Sequence, residues 1–357
     1  MSLPELDTDV LVAGGGAAGL VTATRLALQG RRVAVLDCGI SATALSSGRV
    51  LFPDAGSDEL VRCLLPMIRR RWGDATVLPE PVKVTTNAGT VARQSLVTSS
   101  HDWLDGQKAA VLGIVGNPDL EPELVCATLR ERGIQACVSC WTAVEGDPEA
   151  ALIEVLPDLG EETVVLPPLF PGLDYARTLD RIEASTGKRL VEPLTPLSLP
   201  GKRFQALLEG LAAEAGAVLL PRRTVTAVET SGGEAVAATI ASGRRTQKAR
   251  FSALVLATGN TVSGGLAVVG ERVEEPLGLL ALSAGRGNGP ASPRLAEAAA
   301  TGARTRAGRG IGPDGRPYRN LFVTGSLVSG MSYPLGKGLG HVMTNAWEVA
   351  GRVEEVL

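Results

Sequence analysis

The stretch that most restricts the fold lies near the start of the chain and reads VLVAGGGAAGLVTATRLALQGRRVAVLD, from Val10 to Asp37. An apolar run is followed by G-x-G-x-x-G, then by small and apolar residues, and then by a second apolar run that ends in an acid. This order predicts a strand, a tight glycine turn, a helix over 17–29 and a second strand over 32–36. It is the βαβ order of a dinucleotide-binding fold.

Each glycine of the motif has its own physical role. Gly14 permits the turn out of the strand, Gly16 lets the backbone approach a pyrophosphate, and Gly19 lets the helix pack close to the strand. The helix N-terminus, at Ala17 and the residues after it, offers N–H groups and a partial positive charge to the pyrophosphate. Asp37 is placed to accept hydrogen bonds from ribose hydroxyls. The motif predicts a dinucleotide but leaves NAD and FAD open.

A second segment, FSALVLATGNTVSGGL over 251–266, has the character of a strand that returns to the same sheet. Its apolar residues are followed by the small residues Ala257, Thr258 and Gly259. In flavoproteins such residues pass close to the cofactor. An ordinary strand followed by a glycine-rich turn explains this segment equally well when it is taken alone.

A third segment lies near the C-terminus. It predicts a short strand over 321–324 that ends at Gly325, then a loop, and then a helix over 341–353 that is opened by Gly338 and Gly340. In FAD enzymes the N-terminus of such a helix points at the flavin pyrimidine, where its dipole favours negative charge on the reduced ring. The three segments together favour FAD, because an NAD dehydrogenase needs only the first.

The segment SATALSSGRVLF, over 41–52, follows the second predicted strand and has no charged residue before Arg49. Small side chains leave room for a cofactor, and hydroxyls and backbone N–H groups offer hydrogen bonds without adding charge. We therefore expect Ser46, Ser47 and Gly48 to form a wall beside the cofactor. For Arg49 two interpretations stay open, a contact with phosphate or carboxylate and a solvent-facing side chain.

Composition excludes several classes of protein. The chain has 357 residues, of which 45% are hydrophobic, and a formal net charge of −3. There is no basic stripe, so we expect no nucleic-acid partner, and no apolar run approaches the ~20 residues of a membrane-spanning helix. The N-terminal residues lack the features of a secretion signal. We expect a cytoplasmic protein that meets a membrane only indirectly, through partners.

Few side chains are candidates for acid, base or metal chemistry. The only histidines are His101 and His341. His341 and Lys337 adjoin the C-terminal glycines, and for each a flavin contact and a purely local role remain open. Zinc or an iron–sulfur cluster usually takes four ligands, and the sequence groups only three cysteines, Cys126, Cys137 and Cys140. We therefore expect no metal.

Several stretches resemble the B-subunit family of the anaerobic glycerol-3-phosphate dehydrogenases, which belongs to the fumarate reductase-like FAD-dependent oxidoreductases. They are ISATALSSGRV, VVLPPLFPGLDYARTL, LVLATGNTVSGGL with the following ERVEEPLGL, and GSLVSGMSYPLGKGLG. The resemblance runs in order from about residue 8 to 351 and is weakest over 54–158. Two positions bear on which flavin is bound and how it is held. Asp37 suits an adenosine ribose, which favours FAD over FMN, and Gly325-Ser326 stands where many FAD enzymes carry Gly-Asp.

The resemblance implies a flavin-bearing subunit of a multi-subunit respiratory dehydrogenase. Its partners would be a catalytic flavoprotein subunit and an iron–sulfur subunit that passes electrons to quinone, so the complex would lie at the inner face of the cell membrane. Two alternatives remain. One is a stand-alone FAD dehydrogenase or reductase of a small hydroxy or amino acid, with an anion clamp made by Arg49 and either Arg177 or Arg203. The other is a flavin-bearing assembly subunit with no redox role.

We therefore expect an α/β protein with a Rossmann-like FAD-binding domain built from residues 1–56, 201–270 and 318–357. Within 201–270 we expect a helix over 203–215 and then a strand pair over 217–230 that returns the chain to this domain. In such domains the backbone near Thr224 and Val225 commonly meets the adenine. A second α+β lobe, a cap or interface, would be inserted as residues 57–200 and 271–317. Catalytic residues stay unassigned, with His341, Lys337 and Arg49 as candidates. The expected cofactor-binding residues are Gly14, Gly16, Ala17, Ala18, Gly19, Asp37, Cys38, Ser46, Ser47, Gly48, Val225, Ala257, Thr258, Gly259, Gly325, Ser326, Gly338, Leu339 and Gly340.

Overall fold

The fold is taken from a computed structural model, which describes residues 3–53, 55–73, 75–98, 108–142, 146–270, 272–283, 300–331 and 337–357. His101 and residues 332–336 of the C-terminal glycine-rich segment lie outside these ranges. The chain forms two compact units. The first contains 1–43, 53–57 and 208–357, and the second contains 44–52 and 58–207.

The helices are α1 Ala17–Leu28, α2 Asp58–Trp72, α3 Pro122–Glu131, α4 Pro148–Val155, α5 Tyr175–Thr186, α6 Leu199–Glu214 and α7 Leu339–Glu354. Short 3₁₀ helices cover Leu156–Asp158 and Gly325–Leu327. The strands are β1 Leu6–Asp7, β2 Val10–Ala13, β3 Val33–Asp37, β4 Thr76–Thr85, β5 Val91–Val97, β6 Lys108–Ile114, β7 Gln135–Trp141, β8 Thr163–Val165, β9 Arg189–Val191, β10 Val218–Pro221, β11 Thr224–Ser231, β12 Glu234–Ser242, β13 Arg245–Arg250, β14 Ala253–Leu256, β15 Ala267–Val269, β16 Arg272–Glu274, β17 Leu282–Ser283, β18 Gly302–Ala303, β19 Thr305–Arg306, β20 Arg309–Ile311 and β21 Pro317–Val323.

The first unit is built on a seven-stranded sheet of order β10-β3-β2-β14-β21-β20-β19. The strands from β10 to β21 run parallel, and β20 and β19 add an antiparallel edge. A four-stranded sheet, β1-β13-β12-β11, supplies a further face to the same apolar core. The strands β2 and β14 are buried throughout, as expected for central strands of a parallel sheet. This confirms the predicted α/β class.

The central strands of this sheet end in register. Leu36 of β3 pairs with Ala13 of β2, Ala13 pairs with Leu256 of β14, and Leu256 pairs with Val323 of β21. Parallel strands place their carboxyl ends at one edge, where ligands bind in open α/β sheets. The residues that emerge there are Asp37, Gly14, Ala257 and Thr324.

Helix α1 is made almost entirely of buried small and apolar residues, and it packs against α7. Arg25, near its end, is the charged exception. Its guanidinium donates to the Trp347 carbonyl at 2.9 Å, pairs with Glu354 at 3.3 Å and lies 4.9 Å from the centre of the Trp347 ring. Gly351 lets this guanidinium approach α7, since a Cβ there would lie 3.0 Å from Arg25 Nη2. The C-terminal helix is thus held to the N-terminal one.

The second unit contains a four-stranded parallel sheet of order β7-β6-β8-β9 and an antiparallel ribbon of β4 and β5. Helices α3, α4 and α5 alternate with the strands of the parallel sheet. Consecutive strands can run in the same direction only when such a crossover intervenes. The expected lobe was of mixed α+β character, and no pattern in the sequence predicted this parallel sheet.

Some local expectations differ from the structure. The segments that became β10 and β11 were expected as a strand pair, but β10 pairs with β3 and β11 with β12. Arg222, between them, has a left-handed φ of 56°, which turns the chain from one sheet into the other. Helix α6 begins at Leu199 rather than at Arg203, because a proline is tolerated within the first turn of a helix.

The described part of residues 271–317 groups with the first unit, whereas the expected boundaries assigned it to the inserted lobe. The reason is strand pairing, since β20 joins β21 at the edge of the seven-stranded sheet. The expected boundary at residue 201 falls inside α6. Within the ranges that the structure describes, no helix is both long and apolar enough to cross a membrane.

Candidate functional site

The glycine turn between β2 and α1 is shaped by close backbone packing. Gly14 has a φ of +123°, and a Cβ on it would lie 2.6 Å from the carbonyl carbon of Ala257. A Cβ on Gly19 would overlap the Gly14 carbonyl oxygen and lie 3.2 Å from Val12 Cγ1. The chain's own packing therefore excludes side chains at both positions.

Gly16 has different surroundings. A Cβ on it would meet only Ser41 Cβ and Thr43 Oγ1, both at 3.5 Å, which is ordinary van der Waals distance. Gly16 is the residue before α1, and its side-chain position therefore has room as far as the protein is concerned. Packing within this chain gives no reason for a glycine there, whereas close approach of a pyrophosphate does.

The N-terminus of α1 has no acidic residue in its first turn. The Ala17 N–H donates to Thr43 Oγ1 at 2.9 Å, and Thr43 is buried. Ala18 also belongs to this first turn and is buried. The partial positive charge of the helix end is therefore not offset by a carboxylate on the helix itself. Thr43 was not among the expected site residues, although it lies within the uncharged segment that was expected to line the cofactor.

Asp37, at the end of β3, lies against the glycine turn. A Cβ on Gly15 would sit 2.7 Å from Asp37 Cβ, and Asp37 Oδ1 accepts the Gly39 N–H at 3.1 Å. The Asp37 carbonyl accepts the Arg223 N–H at 2.9 Å, which brings the start of β11 beside this acid. The structure thus brings the fingerprint and its terminal acid together. Cys38, the next residue along the chain, is exposed.

Val225 was expected near an adenine through its backbone. It lies on β11, two residues after Arg223, and its side chain is buried in the core of the first unit. Val225 pairs with Ile240 of β12, so β11 belongs to the smaller sheet. Val225 is therefore two residues from the Arg223 N–H that bonds the Asp37 carbonyl, and its side chain faces the protein interior.

The segment Ala257–Gly259 continues directly from β14. The Ala257 N–H donates to the Ala13 carbonyl at 2.8 Å, which extends the sheet ladder by one step. Gly259 has a φ of +82°, and a Cβ there would lie 2.7 Å from Ser263 Cβ and 3.5 Å from Ser326 Oγ. The turn after β14 and the turn after β21 are therefore neighbours.

Gly325 links the C-terminal segment to the fingerprint helix. A Cβ on it would lie 2.5 Å from Ala18 Cβ of α1 and 3.7 Å from Val342 Cγ1 of α7. Asn345 Oδ1 of α7 accepts the Gly325 N–H at 3.0 Å and lies 2.9 Å from Thr324 Oγ1. Sequence reasoning missed Asn345, because a lone asparagine inside a helix has no distinguishing pattern.

The N-terminus of α7 begins at Leu339, after Gly338. Gly340 is buried, His341 is half-buried and Lys337 is exposed. The first turn of α7 carries no acidic residue. Since Val342 approaches Gly325, and Gly325 approaches Ala18, the described geometry of the first unit brings all three predicted segments into one neighbourhood.

Ser46, Ser47, Gly48 and Arg49 belong to the second unit. Ser46 Oγ accepts the Gly48 N–H at 3.1 Å, so the turn is held by its own hydroxyl. All four residues are half-buried. Their expected role as a cofactor wall stays a prediction.

The cysteines show no grouping of the kind a metal needs. Cys137 and Cys140 are three positions apart on β7, so their side chains point to opposite faces of that strand. Burial and a hydrogen bond with Glu161 raise the pKa of the Cys137 thiol. Across the described ranges, no three His, Cys, Asp or Glu side chains come together as metal ligands.

The glycine turn, the terminal acid, the return strand and the C-terminal helix define a dinucleotide-binding protein of the flavoprotein type. The family model described as FAD binding domain matches residues 9–312. The chain belongs to this FAD-binding domain family, and its cofactor is FAD. It is an FAD-dependent oxidoreductase.

Relatives sharpen this assignment. The chain is 28% identical to the B subunit of anaerobic glycerol-3-phosphate dehydrogenase from Yersinia enterocolitica, with 97% of each chain covered. It is 27% identical to the protein of the same name from Pectobacterium carotovorum, with 75% of this chain and 79% of the relative covered. The resemblance to the B-subunit family is confirmed.

Solved structures show more distant likeness. A 3-ketosteroid-Δ4-(5α)-dehydrogenase from Rhodococcus jostii is 14% identical, with 98% of both chains covered and a TM-score of 0.42. A geranylgeranyl bacteriochlorophyll reductase-like protein from Thermoplasma acidophilum is 12% identical, with 99% and 79% covered and a TM-score of 0.43. Likeness at this level says nothing about the substrate of this chain.

Proposed function

We propose that this chain is the flavin-carrying subunit of a multi-subunit dehydrogenase and that it relays electrons within that complex. The observation that carries the proposal is the coverage of the Yersinia enterocolitica relative, because 97% of each chain is matched. A likeness confined to the cofactor fold would cover the first unit alone. We further propose a catalytic flavoprotein subunit and an iron–sulfur subunit as partners, since the name of that relative denotes one subunit of a larger enzyme.

Within this proposal, the chain's own residues hold the cofactor at several points along its length. The Gly16 backbone and the N-terminus of α1 receive the pyrophosphate. Asp37 accepts the ribose hydroxyls, and the turns at Ala257–Gly259 and Gly325–Ser326 line the path toward the flavin. The N-terminus of α7 provides positive potential beside the pyrimidine of the ring. FAD supplies the reversible uptake of electrons, and the residues supply binding and orientation.

The alternative of a stand-alone enzyme needs a cationic clamp for an anionic substrate. Arg203, one candidate for that clamp, is buried, and its guanidinium makes two bonds to Glu192 and one to the Phe170 carbonyl. These bonds use the face of the guanidinium that an anion would bind. Arg177 of α5 is exposed. The engagement of Arg203 supports the relay over a self-contained active site.

The decisive experiment compares the lone chain with the assembled complex. The purified chain is expected to be yellow, to contain FAD released intact on denaturation, and to show no dye reduction with glycerol 3-phosphate. After co-expression with its partner subunits, the flavin of this chain should be reduced by the donor. The variant Gly16→Val is expected to remove the flavin, because a branched side chain occupies the pyrophosphate path.

Each contrary result selects another function. Dye reduction by the lone chain with a small hydroxy or amino acid would establish the stand-alone enzyme and overturn the relay. Full activity of a complex that contains the flavin-free Gly16→Val chain would overturn the relay in favour of an assembly role. A colourless chain that takes up no flavin would overturn the functional proposal as a whole.

A further inference from the structure

The segment of the second unit that covers 44–48 packs on the first turn of α6. A Cβ on Gly201 would lie 2.6 Å from the carbonyl oxygen of Ala44 and closer still to that of Ser46. A Cβ on Gly48, which has a φ of +67°, would lie 3.0 Å from the Pro200 carbonyl oxygen. Two glycines, one on each segment, therefore let the backbones approach.

Gly201 lies within α6. Glycine costs ~1 kcal/mol relative to alanine in a helix interior, so helix propensity argues against it at this position. Its contacts give the opposite preference, since any side chain would collide with two backbone carbonyls that cannot rotate away. The identity of residue 201 is therefore set by the segment 44–48 and not by the helix.

A buried ion pair fixes this first turn. Arg203 Nη1 and Nη2 donate to the two oxygens of Glu192 at 2.6 and 3.1 Å, and both side chains are only 3% exposed. Arg203 Nε donates to the Phe170 carbonyl at 2.7 Å, and the guanidinium lies 4.0 Å from the centre of the Tyr175 ring. Paired and hydrogen-bonded buried charges resist displacement, because breaking one leaves an uncompensated charge. The turn that carries Gly201 is rigidly held.

Backbone strain occurs at the same place. Leu197, just before α6, has a left-handed φ of +60° and is 75% exposed. Such a conformation costs on the order of 1–3 kcal/mol in a residue other than glycine. The Leu197 N–H donates to the Leu45 carbonyl at 2.9 Å, and Ser198 Oγ bonds the Asp119 carboxylate. The strained residue thus serves as a direct tie to the segment 44–48.

We propose that the first turn of α6, residues 199–203, is a platform that sets the position of Ser46–Gly48, and that Gly201 is its positioning residue. This inference rests on the proposed role of Ser46–Gly48 as a wall beside the flavin. Through that wall, the platform tunes the environment of the bound flavin without touching it. The Glu192–Arg203 pair holds the platform in place.

The test is the variant Gly201→Ala, with Gly160→Ala as its matched control. Gly160 lies in the second unit, has no positive φ, and a Cβ there would meet nothing within 4 Å. We expect Gly201→Ala to push the segment 44–48 away, so that the Leu197 amide exchanges its hydrogen about tenfold faster, with or without FAD. We also expect shifted flavin absorption bands and a shifted reduction potential, with FAD still bound. Gly160→Ala should change none of these.

The two readouts separate the outcomes. An unchanged Leu197 exchange rate in Gly201→Ala would overturn the platform, whatever the flavin does. Faster exchange with an unchanged spectrum and potential would overturn its link to the flavin. If Gly201→Ala does not fold, Arg203→Lys replaces it, since lysine keeps the charge but loses the bidentate bond to Glu192. An unchanged Leu197 exchange rate and an unchanged flavin spectrum in Arg203→Lys would also reject the proposal. Failure of the relay appears instead as dye reduction by the wild-type lone chain.

Discussion

At the scale of single residues, the glycines of the N-terminal fingerprint are required for different reasons. Gly14 and Gly19 are required by the backbone of the chain itself, because a Cβ on either would collide with main-chain atoms. A Cβ on Gly16 would come no nearer than 3.5 Å to its closest neighbours, which are side-chain atoms of Ser41 and Thr43. The contrast separates what folding demands from what the cofactor demands, and substitution by alanine can measure each separately.

For Gly16→Ala we expect a flavin-free protein whose stability is unchanged or up to about 1 kcal/mol higher, because alanine restricts the unfolded chain. We expect FAD affinity to fall about tenfold or more, which is ~1.4 kcal/mol, because the added methyl stands in the pyrophosphate path. Urea unfolding and FAD titration measure the two quantities. Gly19→Ala is the contrast and should lose stability in the flavin-free protein. Equal FAD affinity for Gly16→Ala and the wild type would contradict the assignment.

The thiols of β7 give a second prediction at this scale. Burial and Glu161 raise the pKa of the Cys137 thiol, whereas Cys140 is exposed. The thiolate is the reactive form, so at about pH 8 we expect Cys140 to be alkylated faster than Cys137 in the folded protein. Peptide mass spectrometry after timed alkylation gives both rates, and unfolding the protein should make them similar. Equal rates in the native state would contradict the half-buried position of Cys137 and its raised pKa.

At the scale of elements, the site depends on helices that reach across the chain. Helix α7 holds the turn after β21 through Asn345, and Arg25 of α1 holds α7 through Trp347 and Glu354. The helix that was expected to point at the flavin is therefore tied directly to the fingerprint helix. Its position follows from polar contacts along its length as well as from its apolar face.

The role of Asn345 can be measured by two substitutions. Asn345→Ala removes the acceptor of the Gly325 N–H, and an unsatisfied buried donor costs ~1–3 kcal/mol, so the free energy of unfolding should fall by that amount. Asn345→Asp keeps an acceptor oxygen at the same place and should retain most of the stability. Urea unfolding of both flavin-free variants makes the comparison. An alanine variant as stable as the wild type would show that the contact contributes nothing.

At the scale of the whole molecule, both units carry an ion pair in which hydrogen bonds from an arginine hold a carboxyl pKa low. In the first unit Arg32 lowers the pKa of Asp9, and in the second Arg181 lowers the pKa of Glu149. A lowered pKa means that the folded state prefers the ionised form. The resulting stability is present above the unfolded-state pKa values, 3.8 for Asp and 4.5 for Glu, and is lost as the pH falls through the folded values.

For Asp9→Asn we expect lower stability than the wild type near pH 7, because the paired carboxylate accepts bonds from the Arg32 backbone and side chain. We expect the difference to shrink progressively as the pH falls below the unfolded value, where the wild-type carboxyl is also neutral. Urea unfolding at a series of pH values measures it, with Glu149→Gln as the parallel variant in the second unit. A difference that does not depend on pH would show that the ion pair is not its source.

The cofactor fold and the identity of the cofactor could be predicted from the sequence alone. The strand, the glycine turn, the helix and the acid are contiguous, so their order is legible without tertiary information. The return strand and the C-terminal glycines have the same local character. These features predicted the α/β class, FAD and the resemblance to the B-subunit family, all of which are confirmed.

Only the folded structure shows the features that depend on contacts between distant parts of the chain. It showed that β10 and β11 enter different sheets, that Thr43 accepts the first N–H of α1, and that Arg203 is engaged by Glu192. None of these leaves a periodic or motif signal, because each is made by a residue whose partner lies elsewhere in the sequence. The same holds for Gly201, whose missing side chain is explained only by the carbonyls packed against it.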